Sequence, residues 1–238
     1  VHGGIVLNLS SMNRILEIDE KNMIAVVEPG VVVKNFQDVV EKLGLFYPPD
    51  PASNMMATMG GTVAECAGGL RCVKYGVTRD YILGLEVVMP NGDIMNFGVR
   101  TIKGVTGYDI VRLLVGSEGT LAVTTKIILK LIPKPPFIRT FLAFFNDIER
   151  LAQSVIGIIS ARITPSTMEM IDETSYRIVQ KYKGGSVSDR TKGILLIELP
   201  SRRRTPRWVF AAHMDHPGFV ARKMLDDRTL EAQFHGYV

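Results

Sequence analysis

YPPDPASNMMATMGGTVAECAGGLRCVKYG, residues Tyr47–Gly76, is the stretch on which the reading of this chain turns. Pro48, Pro49 and Pro51 fix φ and cannot continue a helix or a central strand, so the stretch opens as a turn. Gly60, Gly61, Gly68 and Gly69 form two Gly-Gly pairs, and backbone without a Cβ can turn sharply or come close to a ligand. Between the pairs, TVAECA predicts a short helix with Thr62 as its N-cap. A helix start exposes unpaired N–H groups at the positive end of its dipole. Together these features suit an anionic ligand such as a pyrophosphate. They are equally consistent with a glycine-rich loop that only shapes the chain, because such signatures are weak singly.

Working outward, 238 residues hold one large or two small domains. A hydrophobic share of 46% and a charged share of 22% are those of a soluble globular protein. The net charge of +4 is mildly basic, and part of it is the local run Arg202-Arg203-Arg204 with Arg207. That run reads as a solvated linker; no basic patch is interleaved with aromatics, so nucleic acid is not an expected partner. Cys66 and Cys72 are too few for a disulfide framework and lack zinc-ligand spacing, so they read as reduced thiols of a cytoplasmic protein. No apolar run reaches the ~18 residues of a membrane-spanning helix, and Val1-His2-Gly3-Gly4 lacks the charged start of a secretion signal. The chain opens without Met and enters an apolar run almost at once, which predicts an internal start, as a fragment or a processed product.

GIVLNL (Gly4–Leu9), ILEID and IAVV are expected strands, the last closed by Pro29-Gly30. VVVKNFQDVVEKLG is an expected amphipathic helix with Phe36, Val39, Val40 and Leu43 on one face and Gly44 at C′. ILGLEVVMPNGDIMNFG is an expected hairpin whose Asn91-Gly92 favours a type I′ turn. YDIVRLLVG predicts a helix stopped by glycine, and TLAVTTKIILKLIPKP a long extended run. This order lacks regular βαβ alternation and argues α+β, not a Rossmann domain. The prolines from Pro133 to Pro136 mark a boundary. Beyond it, strand, helix (N-cap Asn146; apolar face Ile148, Leu151, Ala152, Val155, Ile156, Ile159), strand, helix and strand follow to GILLIEL.

GGTVAECAGG, KYG and the later VGSEGTL resemble the FAD-binding domain of the vanillyl-alcohol oxidase/PCMH superfamily, in its GlcD-type branch of glycolate oxidase subunits and D-lactate or D-2-hydroxyglutarate dehydrogenases. The likeness runs from Gly3 to about Pro200. It implies an N-terminally truncated PCMH-type FAD-binding domain over residues 1–134, then part of a ferredoxin-like cap over 135–200, the family's substrate domain. It also implies FAD contacts residue by residue. Gly60, Gly61, Thr62, Ala64, Gly68 and Gly69 match the family's flavin-contacting run. Pro49, Asp50 and Ser53 match the turn before it, and Tyr75 and Gly76 match KYG. Gly116, Glu118, Gly119 and Val123 match the segment that closes around the nucleotide. Family members carry a further glycine-rich loop just before Val1 that supplies much of the pyrophosphate cradle, so weakened flavin affinity is expected here. His2 matches a plain pre-strand position, not a covalent flavin link. The family's catalytic histidines and acids lie further downstream, so no general base is assigned and the catalytic residues are left unknown.

From Ser201 the character changes. WVFAAHMDHPGF resembles the first metal-ligand segment of M42-type zinc aminopeptidases, with His213 as ligand and Asp215 as its support. A zinc site needs about three or four protein ligands, and the other segments of such a peptidase are missing. His216 and His235 read as satisfied or exposed, so residues 201–238 are expected to be an unrelated, peptidase-like tail without a metal. The function this implies is an FAD-dependent oxidoreductase that takes a hydride from a 2-hydroxy acid of the glycolate or D-lactate type and passes electrons to a separate acceptor or partner subunit. The alternatives are a non-catalytic fragment and a chimera with a zinc aminopeptidase-like tail.

Overall fold

The computed structural model describes residues 3–184, 189–201, 218–224 and 229–235, with side chains described up to Pro200 except Lys183. The chain divides into two compact units, Val1–Lys134 and Pro135–Val238.

The first unit is built on a five-stranded antiparallel sheet in the order β1-β2-β6-β4-β5. The strands are β1 (Ile15–Asp19), β2 (Ile24–Val27), β4 (Ile82–Val88), β5 (Ile94–Gly98) and β6 (Val123–Lys130); β3 (Leu45–Phe46) and β7 (Ile132–Pro133) form a separate pair. Helices α1 (Val33–Lys42), α2 (Met59–Glu65), α3 (Cys72–Tyr75) and α4 (Ile110–Leu114) complete it. Val33, Phe36 and Val40 of α1, Met59 and Val63 of α2, and Val111 and Leu114 of α4 share one core with Ala25, Val27, Leu85, Val87, Ile127 and Leu129.

Several local expectations are corrected. Residues 4–9 are not a strand: Ile5 and Val6 stand 97% and 88% exposed, and no ladder partner meets them among the described residues. A β-rich run without a neighbouring edge has nowhere to place its N–H and C=O groups. Among the described residues, main-chain bonding begins at Leu9, whose carbonyl accepts from Met12 N–H at 2.9 Å, and Gly30 N–H donates to Met12 O at 2.7 Å. The buried stripe of α1 is Val33, Phe36, Gln37 and Val40, with Val39 and Leu43 outside. Gln37 belongs inside because its Nε2 donates to the carbonyls of Tyr47 and Pro49. The β4–β5 hairpin does not take a type I′ turn. Gly92 N–H closes on Met89 O with Pro90 and Asn91 between, and only Gly92 has positive φ. Proline's fixed negative φ excludes the mirror-image turn there.

Glu28 ends β2 as a buried acid. Its carboxylate accepts from the Arg14 guanidinium at 2.7 Å and from Arg14 N–H at 2.8 Å. These bonds hold its carboxyl below the usual carboxylate range. A depressed folded pKa gives stability that is present above the unfolded value near 4.5 and is lost as pH falls through the folded value. Glu28→Gln is therefore expected to lose about 1–3 kcal/mol at neutral pH and to flatten the acid limb of stability, read by urea unfolding from pH 7 down to pH 3.

The second unit carries β8 (Phe137–Phe145), α5 (Ile148–Ser160), β9 (Thr167–Asp172), α6 (Glu173–Lys183), β10 (Gly193–Ser201), β11 (Gly218–Met224) and β12 (Thr229–His235). Its sheet order is β11-β12-β8-β10-β9. β10 lies antiparallel between β8 and β9, which with the two helices gives the ferredoxin-like arrangement. α5 is capped by Asp147, whose side chain accepts from Glu149 N–H, and not by Asn146. Its packed face is Leu151, Val155 and Ile158, against Ala143, Phe145, Leu195 and Ile197; Ala152, Ile156 and Ile159 are exposed. Within the stretch expected to be an unrelated, peptidase-like tail, two strands join this sheet: β12 pairs parallel with β8, and β11 pairs with β12. His213, Asp215 and His216 lie outside the described residues; the backbone of His235 pairs with Gly218.

Candidate cofactor site

The helix at the centre of the sequence argument starts earlier than expected. The N-cap of α2 is Thr58, not Thr62: Thr58 Oγ1 accepts from Gly61 N–H at 3.3 Å. Thr62 is buried inside the helix and its Oγ1 donates to Met59 O. Met59 N–H donates to Val31 O at 2.8 Å, Gly60 N–H to Pro29 O at 2.7 Å and Thr62 N–H to Thr58 O at 2.9 Å. The N–H groups of the first turn are thus spoken for, and the expected array of unpaired donors for a pyrophosphate is absent from this turn.

What α2 does offer is a flank of small residues. Gly60 and Ala64 line a cavity of about 220 Å³ with Leu7, Leu9, Pro29, Ser117, Gly119, Ala122, Val123 and Thr124. The 117–124 segment reaches α2 through two main-chain bonds, Gly116 N–H to Val63 O at 2.9 Å and Glu118 N–H to Ala64 O at 2.8 Å. Glu118 (φ 54°) and Gly119 (φ 70°) carry the loop through the left-handed region, where a glutamate is disfavoured unless its surroundings hold it. None of the described lining residues is ionisable. Such a lining fits a flat, weakly polar part of a dinucleotide through backbone and methyl contacts, rather than its charged bridge.

Residue for residue, the structure brings Gly60, Ala64, Gly119 and Val123 to this one cavity and ties Gly116 and Glu118 to its wall. It places others elsewhere. Gly61 is on α2 with only Thr58 Oγ1 beside it. Pro49, Asp50 and Gly69 belong to a packing cluster. Pro49 O accepts from Gln37 Nε2 at 2.9 Å, and Asp50 is held by Asn54 Nδ2 at 2.6 Å and Arg71 Nη2 at 3.3 Å. A Cβ on Gly69 would lie 2.0 Å from Asp50 O. Arg71 also lies over the Phe46 ring, which Tyr75 meets edge-on at 5.8 Å; burial pushes the Tyr75 phenol up. Ser53 is exposed and its carbonyl accepts from the N–H groups of Met56 and Ala57. Gly68 lies beside Cys72 Sγ, and Gly76 beside the Asp80 carboxylate.

Comparison with known proteins supplies the family. A family model described as "FAD binding domain" matches residues 1–98, and one described as "FAD linked oxidases, C-terminal domain" matches residues 134–218, in the order of the two units. The chain belongs to the GlcD-type FAD-linked oxidases. It is 50% identical over 196 residues to the glycolate oxidase subunit GlcD of Bacillus subtilis, an alignment covering 82% of this chain and 42% of that one. It is 36% identical to a D-lactate dehydrogenase of Anaerostipes hadrus, covering 79% and 39%. The chain therefore spans less than half the length of these relatives. Among solved structures, an alkyldihydroxyacetonephosphate synthase aligns with a TM-score of 0.67 at 23% identity, covering 79% of this chain and 36% of that one, which speaks for the fold alone.

The cofactor of this FAD-linked oxidase chain is FAD. Leu7, Leu9, Pro29, Ser117, Ala122 and Thr124 line the cavity without having been singled out in the sequence. Ser117, Ala122 and Thr124 flank matched positions and were within reach of a longer reading of GSEGTLAVTT. Pro29 looked like a turn and Leu7 and Leu9 like a strand, so nothing local marked them. Among the described residues no helix is long and apolar enough to cross a membrane, and no group of three or more His, Cys, Asp or Glu side chains is placed to hold a metal.

Proposed function

We propose that this chain carries the FAD site and part of the substrate cap of an oxidoreductase acting on a 2-hydroxy acid of the glycolate or D-lactate type. The observation that carries this reading is the cavity shared by α2 and the 117–124 segment, which unites four of the residues matched to the family's FAD contacts. The names of the relatives supply the substrate class. When bound, FAD supplies a hydride acceptor for C2 of the hydroxy acid. Gly60, Ala64, Gly119 and Val123 then form its wall, and the bonds from Gly116 and Glu118 hold that wall against α2. Pro49, Asp50, Thr62, Gly69 and Tyr75 belong to the packing beneath it, while Ser53, Gly61, Gly68 and Gly76 lie outside the cavity lining. A separate acceptor or partner subunit takes the electrons onward. The unpaired thiols Cys66 and Cys72 favour a cytoplasmic setting.

The test is a titration of the purified chain with FAD followed by its visible spectrum, then dye reduction with glycolate and D-lactate. Stoichiometric, perturbed flavin bands are expected; a chain that leaves the free-FAD spectrum unchanged overturns the reading. Bound flavin that no 2-hydroxy acid reduces would favour the non-catalytic alternative.

A further inference from the structure

The loop that borders the cavity is held from behind by a charged side chain with no role so far. Arg79 lies in the 3-10 turn Thr78–Tyr81 and donates from Nη2 to Val115 O at 3.0 Å, across 36 residues of sequence. Val115 is the C-cap of α4 and immediately precedes Gly116–Gly119. A Cβ on Gly116 would stand 3.0 Å from the same Nη2 and 3.2 Å from Cys66 Cβ, so the loop enters between Arg79 and the end of α2. The turn is itself fixed to that end: Thr78 N–H and Oγ1 both donate to Ala67 O, at 3.1 and 2.8 Å. Arg79 Nε is buried and has no hydrogen-bond partner among the described residues. An unmet buried donor is unfavourable by itself, so the guanidinium's gain in this position is its hold on Val115.

We propose that Arg79 is a positioning residue for FAD: it sets the start of the 116–119 loop so that Ser117 and Gly119 face the cavity. The inference rests on reading the cavity as the FAD site. The left-handed pair Glu118–Gly119 is a conformation the loop keeps only while its surroundings impose it. The bonds that tie it to its surroundings run from Arg79 to Val115 O, from Gly116 to Val63 O, from Glu118 to Ala64 O and from Ser117 to Leu114 O. Removing the first leaves the bonds to Val63 and Ala64 to keep the loop near α2, so the unit stays folded while the wall loses its fixed place.

FAD is titrated into the wild-type chain, Arg79→Met and Arg79→Lys, following flavin fluorescence, and the urea midpoint of each apoprotein is measured alongside. Arg79→Met is expected to weaken FAD binding by about 10- to 100-fold, with Arg79→Lys intermediate because an ammonium restores a donor. A merely structural residue would lower affinity only in step with the unfolded fraction. Wild-type affinity in Arg79→Met overturns the proposal. Should that variant not fold, wild-type affinity in Arg79→Lys overturns it, and a weakened affinity at an unchanged urea midpoint supports it. Absence of binding by the wild-type chain overturns the FAD reading itself, which is a separate result.

Discussion

Gly69→Ala is expected to destabilise the N-terminal unit by about 3 kcal/mol, read as a lower urea midpoint at an unchanged slope. The new methyl would lie 2.0 Å from Asp50 O, 2.3 Å from Asp50 C and 2.9 Å from Pro51 N. All three are main-chain atoms, so no rotamer can clear the space. The Asp50 segment is also poorly able to retreat. Its carboxylate is tied to Asn54 and Arg71, Pro49 O accepts from Gln37, and Pro51 has a fixed φ. Gly61→Ala is the contrasting case. Its methyl meets only Thr58 Oγ1 at 3.3 Å, and the gain in helix propensity of about 1 kcal/mol opposes that contact. A midpoint for Gly69→Ala as close to wild type as that of Gly61→Ala would refute the close approach.

Ala64→Leu is expected to weaken FAD binding by about 100-fold or more, as a side chain does when it occupies the ligand's volume. Ala64 is half-buried on α2 and faces a cavity of about 220 Å³. Leucine is nearly as good a helix former as alanine, and its added carbons enter open space rather than packed core. The apoprotein midpoint should therefore move by less than about 1 kcal/mol, which separates a blocked site from a damaged fold. FAD fluorescence titration and urea unfolding on the same samples give both numbers. Undiminished FAD affinity in Ala64→Leu would show that the dinucleotide does not use this cavity.

The sequence was legible where local chemistry alone decides the outcome. The helix α1, the β4–β5 pairing and the Thr/Val/Ile run of β6 follow from periodicity and residue shape, although the buried side of α1 is shifted to take in Gln37. It misled where the deciding partner is distant. Thr62 and Thr58 are both good caps, and the choice falls to Thr58 because Met59 and Gly60 reach the carbonyls of Val31 and Pro29. Residues 4–9 carry every local mark of a strand, yet a strand is a relation between two segments. The glycine pairs left two readings open, a ligand cradle or a loop that only shapes the chain. Gly60 lines the cavity, while Gly69 lets two stretches of main chain touch. Both uses need the same missing methyl, and only the neighbours tell them apart. Arg79 is invisible for the same reason, since its carbonyl partner is 36 positions away.

β6 is the last strand of its sheet to be synthesised, yet it lies in the middle, between β2 and β4. Until Lys130 has left the ribosome, the nascent chain holds two separate ribbons, β1–β2 and β4–β5, each too small to persist in water. Their inner edges wait open for the same late arrival, which makes this interval the one most prone to aggregation. Because Val123 and Thr124 also come with that segment, the cavity exists only in the finished unit. A dinucleotide that binds there would draw the final docking step forward by mass action, so cofactor supply during synthesis should raise the yield of folded protein.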